Sequence, residues 1–363
     1  VNEPWQQANR QAQALYRARV RGCLLGGALG DALGYPVEFS SLDAIRAAHG
    51  PRGVTSLVPD GTGVTGRISD DTQMTLFTVE GVLAAHRRER EKGIGGAAHQ
   101  LLREAYDRWL VTQQQPGPDP RTAAYTGFDR PLLAEPWLYA RRAPGNACLS
   151  GLQQPYTPDT GTPLGVPGPV NPGSKGCGTV MRSAPFGLTG APADRAFDLA
   201  ARCARLTHGH PTGAYAAGAL AAIVAHLIAG ESVEGAVLRA LRQLAGHPGH
   251  EETTAALEHA LALAAEGAPS AEKVERLGAG WIAEEALAIG VYCALAEPRR
   301  VPEALLLSVN HSGDSDSTGS VCGNLLGARH GDVGLPHSWL RRVEGRDRIA
   351  ALADDLAAEC VRT

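Results

Sequence analysis

The chain has 363 residues, a formal net charge of −4 and a hydrophobic share of 44%, with aromatics at only 5%. Its three lysines, Lys92, Lys175 and Lys273, are dispersed, so no basic tail or stripe points to general nucleic-acid binding. Seven scattered cysteines without a CxxC pair read as reduced thiols rather than a disulfide frame or zinc site, and the polar start VNEPWQQANRQ lacks a signal-peptide stretch.

A core built from Ala, Leu and Gly favours closely packed helices over strands. Apolar periodicity with Gly or Pro at the joints predicts helices at 10–33, 41–48, 71–91, 97–113, 193–206, 212–229, 232–245, 252–265, 282–296, 302–309, 317–329 and 346–361. A short extended piece is expected near Val54–Val58. The most apolar run, Ala216 to Gly230, is interrupted by His226, and no membrane span is expected. Half of the 24 prolines fall between Pro116 and Pro172, so 115–175 reads as an irregular excursion within one domain covering 1–363. The composition predicts a cytoplasmic monomer.

Within the first helix, Gly22, Gly26, Gly30 and Gly34 recur every four residues, and Gly319, Gly323 and Gly327 do so near the end. Each series makes a smooth ridge on which another backbone can lie closely, and each leads into an acidic turn. Asp31 and Glu38, in GDALGYPVEF, read either as a solvated helix end or as metal ligands or a base for water.

Two acid-rich turns open helices: Ser69-Asp70-Asp71-Thr72, and Asp314-Ser315-Asp316-Ser317-Thr318. Capping explains one side-chain oxygen at each, since Ser and Asp are favoured N-caps and the helix dipole welcomes negative charge. Each turn carries two carboxylates, more than a cap needs. If the turns converge, four carboxylates would raise each other's pKa unless cations neutralised them. Hard oxygen ligands without His or Cys suit Mg²⁺ or Mn²⁺, and four carboxylates suit two ions.

Between these turns lies Asn171-Pro-Gly-Ser-Lys-Gly-Cys-Gly178, an ordinary Gly-rich turn or a loop whose freed amides cradle a diphosphate. Cys177 is a nucleophile on paper, but no base is placed beside it. In LTHGHPTG, His208 and His210 read as loop or capping residues, or as ligand contacts.

In order, RGCLLGGALGDALGYPVEF, ISDDTQM, PGNACLSGL, SKGCGTVMRSAPFGL, LTHGHPTG, GWIAEEAL and HSGDSDSTG resemble the ADP-ribosylglycohydrolase family, which includes the dinitrogenase reductase-activating glycohydrolases. The resemblance implies an all-α, single-domain orthogonal multi-helix bundle with a dinuclear metal site at helix N-termini. It implies two Mg²⁺ or Mn²⁺ ions at the distal ribose, one on Ser69, Asp70, Asp71 and Asp316, the other on Asp314, Asp316 and Ser317. Glu38 takes the position of a gating or metal-binding glutamate, and Glu38 or Asp71 that of the general base. Gly173, Ser174, Lys175, Gly176, Cys177 and Gly178 fall on the diphosphate loop, His208 on an ADP-ribose contact, and Asn146 in the pocket. Ser69 replaces the threonine of many relatives but keeps the oxygen, and positions 175 and 177 vary across the family. The implied substrate is an ADP-ribosylated protein or small-molecule acceptor; the DSDST form resembles arginine-directed members more than serine-directed ones. Two alternatives stand beside this: a dinuclear-metal phosphohydrolase, which the lack of Arg or His inside the acidic turns disfavours, and a catalytically silent ADP-ribose-binding relative, which the filled acidic positions disfavour.

Overall fold

A computed structural model of the chain describes residues 4–93, 95–120, 131–159 and 161–361. Among these residues there is no strand; the structure is a single all-helical domain. Its α-helices are α1 (Pro4–Gly34), α2 (Leu42–His49), α3 (Asp70–Lys92), α4 (Ala98–Gln114), α5 (Asn146–Gln153), α6 (Ala193–Ala204), α7 (Pro211–Ile228), α8 (Val233–Leu244), α9 (Glu251–Ala265), α10 (Ala271–Glu275), α11 (Ala283–Ala296), α12 (Val301–Val309), α13 (Ser315–His330), α14 (His337–Leu340) and α15 (Arg346–Val361). Near the expected extended piece there is only an isolated bridge, Pro59 to Thr65. The Pro-rich excursion carries α5, which the periodicity did not predict; its residues 121–130 and 160 lie outside the described ones.

The two glycine ridges pack on each other. A Cβ at Gly22 would lie 2.3 Å from the Gly327 carbonyl oxygen, one at Gly26 2.3 Å from that of Gly323, and one at Gly30 1.9 Å from that of Gly319. Rising numbers on α1 meet falling numbers on α13, so the helices run antiparallel with backbones in contact. The pairing ends at Gly34, whose Cβ would lie 2.1 Å from the Ser315 carbonyl oxygen. Asn324 adds a register pin, its amide donating to the Cys23 carbonyl at 2.8 Å. The C-terminal end of α1, with Asp31 and Glu38 beyond it, is thereby locked beside the acidic start of α13.

Around this pair, α15 covers α1, α11 and α12 lie against α13, α3 packs on α4 and α15, and α6 on α7. Trp109, Tyr106, Phe77, Phe186 and Phe197 supply the large buried rings of an otherwise Ala- and Leu-rich interior. Helix α7 is long and apolar enough to cross a membrane by length and composition, but 78% of it is buried inside the fold. It is accounted for as a core helix, because small residues on all its faces let neighbours approach it.

Candidate functional site

Each acidic turn does cap its helix, and carboxylates remain over. Ser69 Oγ accepts from the Asp71 amide at 3.2 Å, and the Asp314 side chain accepts from the Ser317 amide at 3.4 Å. Asp31, reaching from α1, accepts from the amides of Ser69 at 3.0 Å and Thr72 at 3.1 Å and from the Thr72 hydroxyl. It is wholly buried, not a solvated helix end, and joins the start of α3 to the end of α1. Asp70 and Asp71 are thus surplus to capping, and Asp316, whose Oδ1 also accepts from the Ser317 amide at 2.9 Å, keeps its other oxygen over.

These surplus acids, with Glu38 and Asp314, line one cleft of about 340 Å³. Oxygens of Glu38, Asp314 and Asp316 lie within 4.8 Å of one another. Glu38 Oε2 and Asp71 Oδ2 are buried without any hydrogen-bond partner. Such atoms cost free energy unless something positive meets them. Burial first, and the neighbouring charge of Asp316 second, raise the carboxyls of Asp70, Asp71 and Asp314 well above the ordinary carboxylate range. The same two causes push Asp31 up to about 7 and Glu38 up to about 11. Clustered acids, two with orphaned oxygens and none paired with Lys or Arg among the described residues, fit hard divalent cations.

The opposite wall comes from the excursion. Arg142 is buried, donates to the Ile68 carbonyl at 2.7 Å and pairs with Glu344. Its own carbonyl accepts from the Asp70 amide at 3.2 Å. This tie holds Ala143 to Ala147, including exposed Asn146, against the acidic end. Arg142→Ala strands Glu344 and releases that wall; we expect a loss of roughly 3 kcal/mol, read from the urea midpoint, and an unchanged midpoint would contradict the anchoring role.

The Gly-rich loop forms the floor, with Ser174, Gly176, Cys177 and Gly178 on the cleft. Gly173 and Lys175 are not on it. Lys175 turns away to pair with Glu252 at 2.7 Å and Glu284 at 2.5 Å, so its expected contact with substrate is replaced by a structural one. Two of the amides expected to be free are committed, Ser174 to the Asn171 carbonyl at 2.9 Å and Cys177 to the Trp281 carbonyl at 3.0 Å. The glycines make room for His208: a Cβ at Gly178 would sit 3.0 Å from its ring, and one at Gly176 3.1 Å from Nε2. Burial, with the nearby Arg182 guanidinium, drives His208 down to about 3, so the ring is neutral. Arg182 donates to the Thr207 hydroxyl at 2.6 Å, and that hydroxyl lies 2.7 Å from His208 Nδ1. One ring nitrogen, Nδ1, is thus taken by Thr207, and the other, Nε2, faces the loop.

Cys177 donates its thiol to Asp314 Oδ2 at 2.7 Å. Burial and that carboxylate raise its pKa well above the thiol's ordinary value, which removes it as a nucleophile. Ser317 lines the cleft, whereas Ser69 sits behind it in its capping role.

Residues 12–363 match the family model described as ADP-ribosylglycohydrolase. The chain belongs to that family. Its enzyme class is therefore ADP-ribosylglycohydrolase, acting on glycosidic bonds of ADP-ribose. It is similar to the ADP-ribosyl-[dinitrogen reductase] glycohydrolase of Rhodospirillum rubrum, 28% identical over 334 residues and 90% of each chain. It is also similar to the ADP-ribosylhydrolase ARH3 of Homo sapiens, 28% identical over 375 residues and 93% of each chain. A solved structure described as an ADP-ribosylglycohydrolase-related protein complex superposes with a TM-score of 0.67 at 25% identity, covering 95% of this chain and 99% of that one.

Several cleft residues of this glycohydrolase escaped the sequence reading. Phe39 and Trp281 both line the cleft, and both sat in recognised segments, VEF and GWIAEEAL. Behind the cleft, Thr207 bonds the adjacent His208, and Arg182 reaches that hydroxyl from 25 residues away, a contact the chain order does not reveal.

Proposed function

We propose that this glycohydrolase cleaves the bond joining C1″ of the distal ribose of ADP-ribose to an arginine side chain on a protein, using two Mg²⁺ or Mn²⁺ ions. The observation that carries the reading is the convergence of Glu38, Asp70, Asp71, Asp314 and Asp316 on one end of a cleft whose floor is a Gly-rich loop. Asp70, Asp71, Asp314 and Asp316 would hold the ions, with Glu38 and the Ser317 hydroxyl at the same end. When bound, such ions supply charge to orient ribose hydroxyls and to lower the cost of ionising a water.

The chain's own groups account for the rest. Cations that offset the charge of Asp316 would let Glu38 and Asp71 ionise, and each keeps one buried oxygen without a partner among the described residues, which places them as the two bases for the attacking water. Neutral His208 turns Nε2 to the Gly176–Gly178 backbone, where a diphosphate would gain binding energy remote from the reacting carbon. The Pro144–Asn146 wall narrows access to the acidic end. The arginine acceptor is supported by the DSDST form of the second acidic turn, which resembles arginine-directed members of the family more than serine-directed ones.

Incubation with Mg²⁺ and arginine-linked, serine-linked or nucleobase-linked ADP-ribose, and with a simple phosphate ester, tests the proposal. Free ADP-ribose is expected from the arginine-linked substrate and no product from the ester. Release only from another linkage corrects the acceptor, and release from none replaces the enzyme by a binding protein.

A further inference from the structure

Phe39 follows Glu38 directly and has a backbone φ of 67°, in the left-handed region that a bulky residue rarely adopts. Two hydrogen bonds hold it there: its amide donates to the Gly313 carbonyl at 3.3 Å, and the Gly313 amide donates to the Ser40 carbonyl at 3.4 Å. The turn that fixes this conformation is the one that leads into Asp314. Burial does not compensate the ring for it, because Phe39 is 69% exposed. Among the described residues its one aromatic partner is Trp281, stacked at a centroid distance of 5.1 Å with 22° between planes and itself 39% exposed.

Trp281 is also held from its backbone. Its carbonyl accepts from Cys177, and Glu285 accepts from the amides of Ala279 and Gly280 at 3.0 and 3.1 Å. Phe39 and Trp281 are the only exposed aromatic rings among the described residues, and both line the cleft beside Glu38 and Asp314. Rings kept out of the core, in a strained and doubly anchored conformation, are placed for something that arrives from solvent. Aromatic faces beside a set of carboxylates complement a flat, weakly hydrated cation, and a guanidinium is the side-chain group that stacks in this way.

We propose that the Phe39–Trp281 ledge binds the guanidinium of the acceptor arginine, holding it face-on while the attached ribose occupies the acidic end. This rests on the arginine-directed reading above and extends it by assigning acceptor recognition to two residues. An aliphatic alcohol acceptor has no planar cation to place on the ledge, so the ledge is a specificity element.

Two measurements test it. The first compares wild type, Trp281→Ala and Trp281→Phe on arginine-linked ADP-ribose, with the affinity for free ADP-ribose measured alongside. A cation–π contact corresponds to roughly a 3- to 30-fold effect on binding. We expect KM to rise by about tenfold in Trp281→Ala, recovery in Trp281→Phe, and free ADP-ribose bound as in wild type, which also reports that the variant is folded. The second titrates the metal-loaded protein with agmatine, a guanidinium without ADP-ribose, while following tryptophan fluorescence. A saturable change in wild type that disappears in Trp281→Phe, the reporting indole being gone, supports the ledge. An unchanged KM, a matching loss of ADP-ribose affinity, or no agmatine response overturns it, the second of these assigning the rings to the nucleotide. If wild type cleaves no arginine linkage yet agmatine binds at Trp281, the proposed activity fails and the ledge stands. If cleavage proceeds and agmatine does not bind, only the ledge fails.

Discussion

Asp316→Asn is expected to lower turnover at saturating Mg²⁺ by on the order of 10²–10³-fold and, at the same time, to stabilise the metal-free protein. The two effects share one cause. Asp316 is the like charge that raises the carboxyls of Asp31, Glu38, Asp70, Asp71 and Asp314 alike, after burial itself. Its removal relieves all five and takes away a shared cation ligand. Relief of even about one pKa unit at one group is worth roughly 1.4 kcal/mol.

The pH dependence has a definite sign. Asp31 is lifted from an ordinary 3.8 to about 7, and Glu38 from 4.5 to about 11. An acid whose folded pKa is raised carries no penalty below its unfolded value. The penalty grows as pH climbs from there towards the folded value, because the unfolded chain gives up its proton first. The chelated wild type should therefore lose stability from about pH 4 to pH 7 through both groups and onward towards pH 11 through Glu38, and added Mg²⁺ should flatten that slope by binding only the folded state. Thermal melts with EDTA and with Mg²⁺, at several pH values, measure both. A lower metal-free melting temperature for Asp316→Asn, or the same Mg²⁺-dependent gain as wild type, would refute this account.

Gly30→Ala is expected to destabilise the fold by about 3 kcal/mol and to weaken cation binding as well. Helix propensity alone points the other way, since alanine in a helix interior is favoured over glycine by roughly 1 kcal/mol. The new Cβ would stand 1.9 Å from the Gly319 carbonyl oxygen, a backbone atom that cannot rotate aside. To admit it, α1 and α13 must separate, and separation carries Glu38 away from Asp314 and Asp316. Gly117→Ala is the control, because no atom of the described residues lies within 4 Å of its added Cβ. Denaturant midpoints and Mg²⁺ titrations of the two variants read the difference. Equal stability of both would show that the ridges do not set the helix spacing.

By itself the sequence determined the elements whose signals are local. The helix from Asp70 to Lys92 has Ser69 before it and Gly93 after it, and the one from Ser315 to His330 lies between Asp314 and Gly331. Caps and stops of that kind act within one turn, so they are readable in place. The excess of acid over capping needs was also readable, since Asp70, Asp71 and Asp316 stand beside residues that already do the capping. Helix α5 was not, because the prolines around it outweigh eight residues of helical pattern. The pairing of Lys175 was not legible either, because its partners, Glu252 and Glu284, lie far along the chain.

Convergence was decided by tertiary structure alone. Spacing showed two ridges without showing that each is the other's partner, and it is their antiparallel contact that brings Glu38 to Asp314 and Asp316. Asp31 then binds the start of α3, which delivers Asp70 and Asp71 to the same cleft. Phe39 meets Trp281 for the same reason, through turns fixed by bonds to Gly313 and Cys177. Contacts between distant segments depend on which surfaces exclude each other from water and at what distance, and that information is spread over the whole chain rather than written at any one position in it.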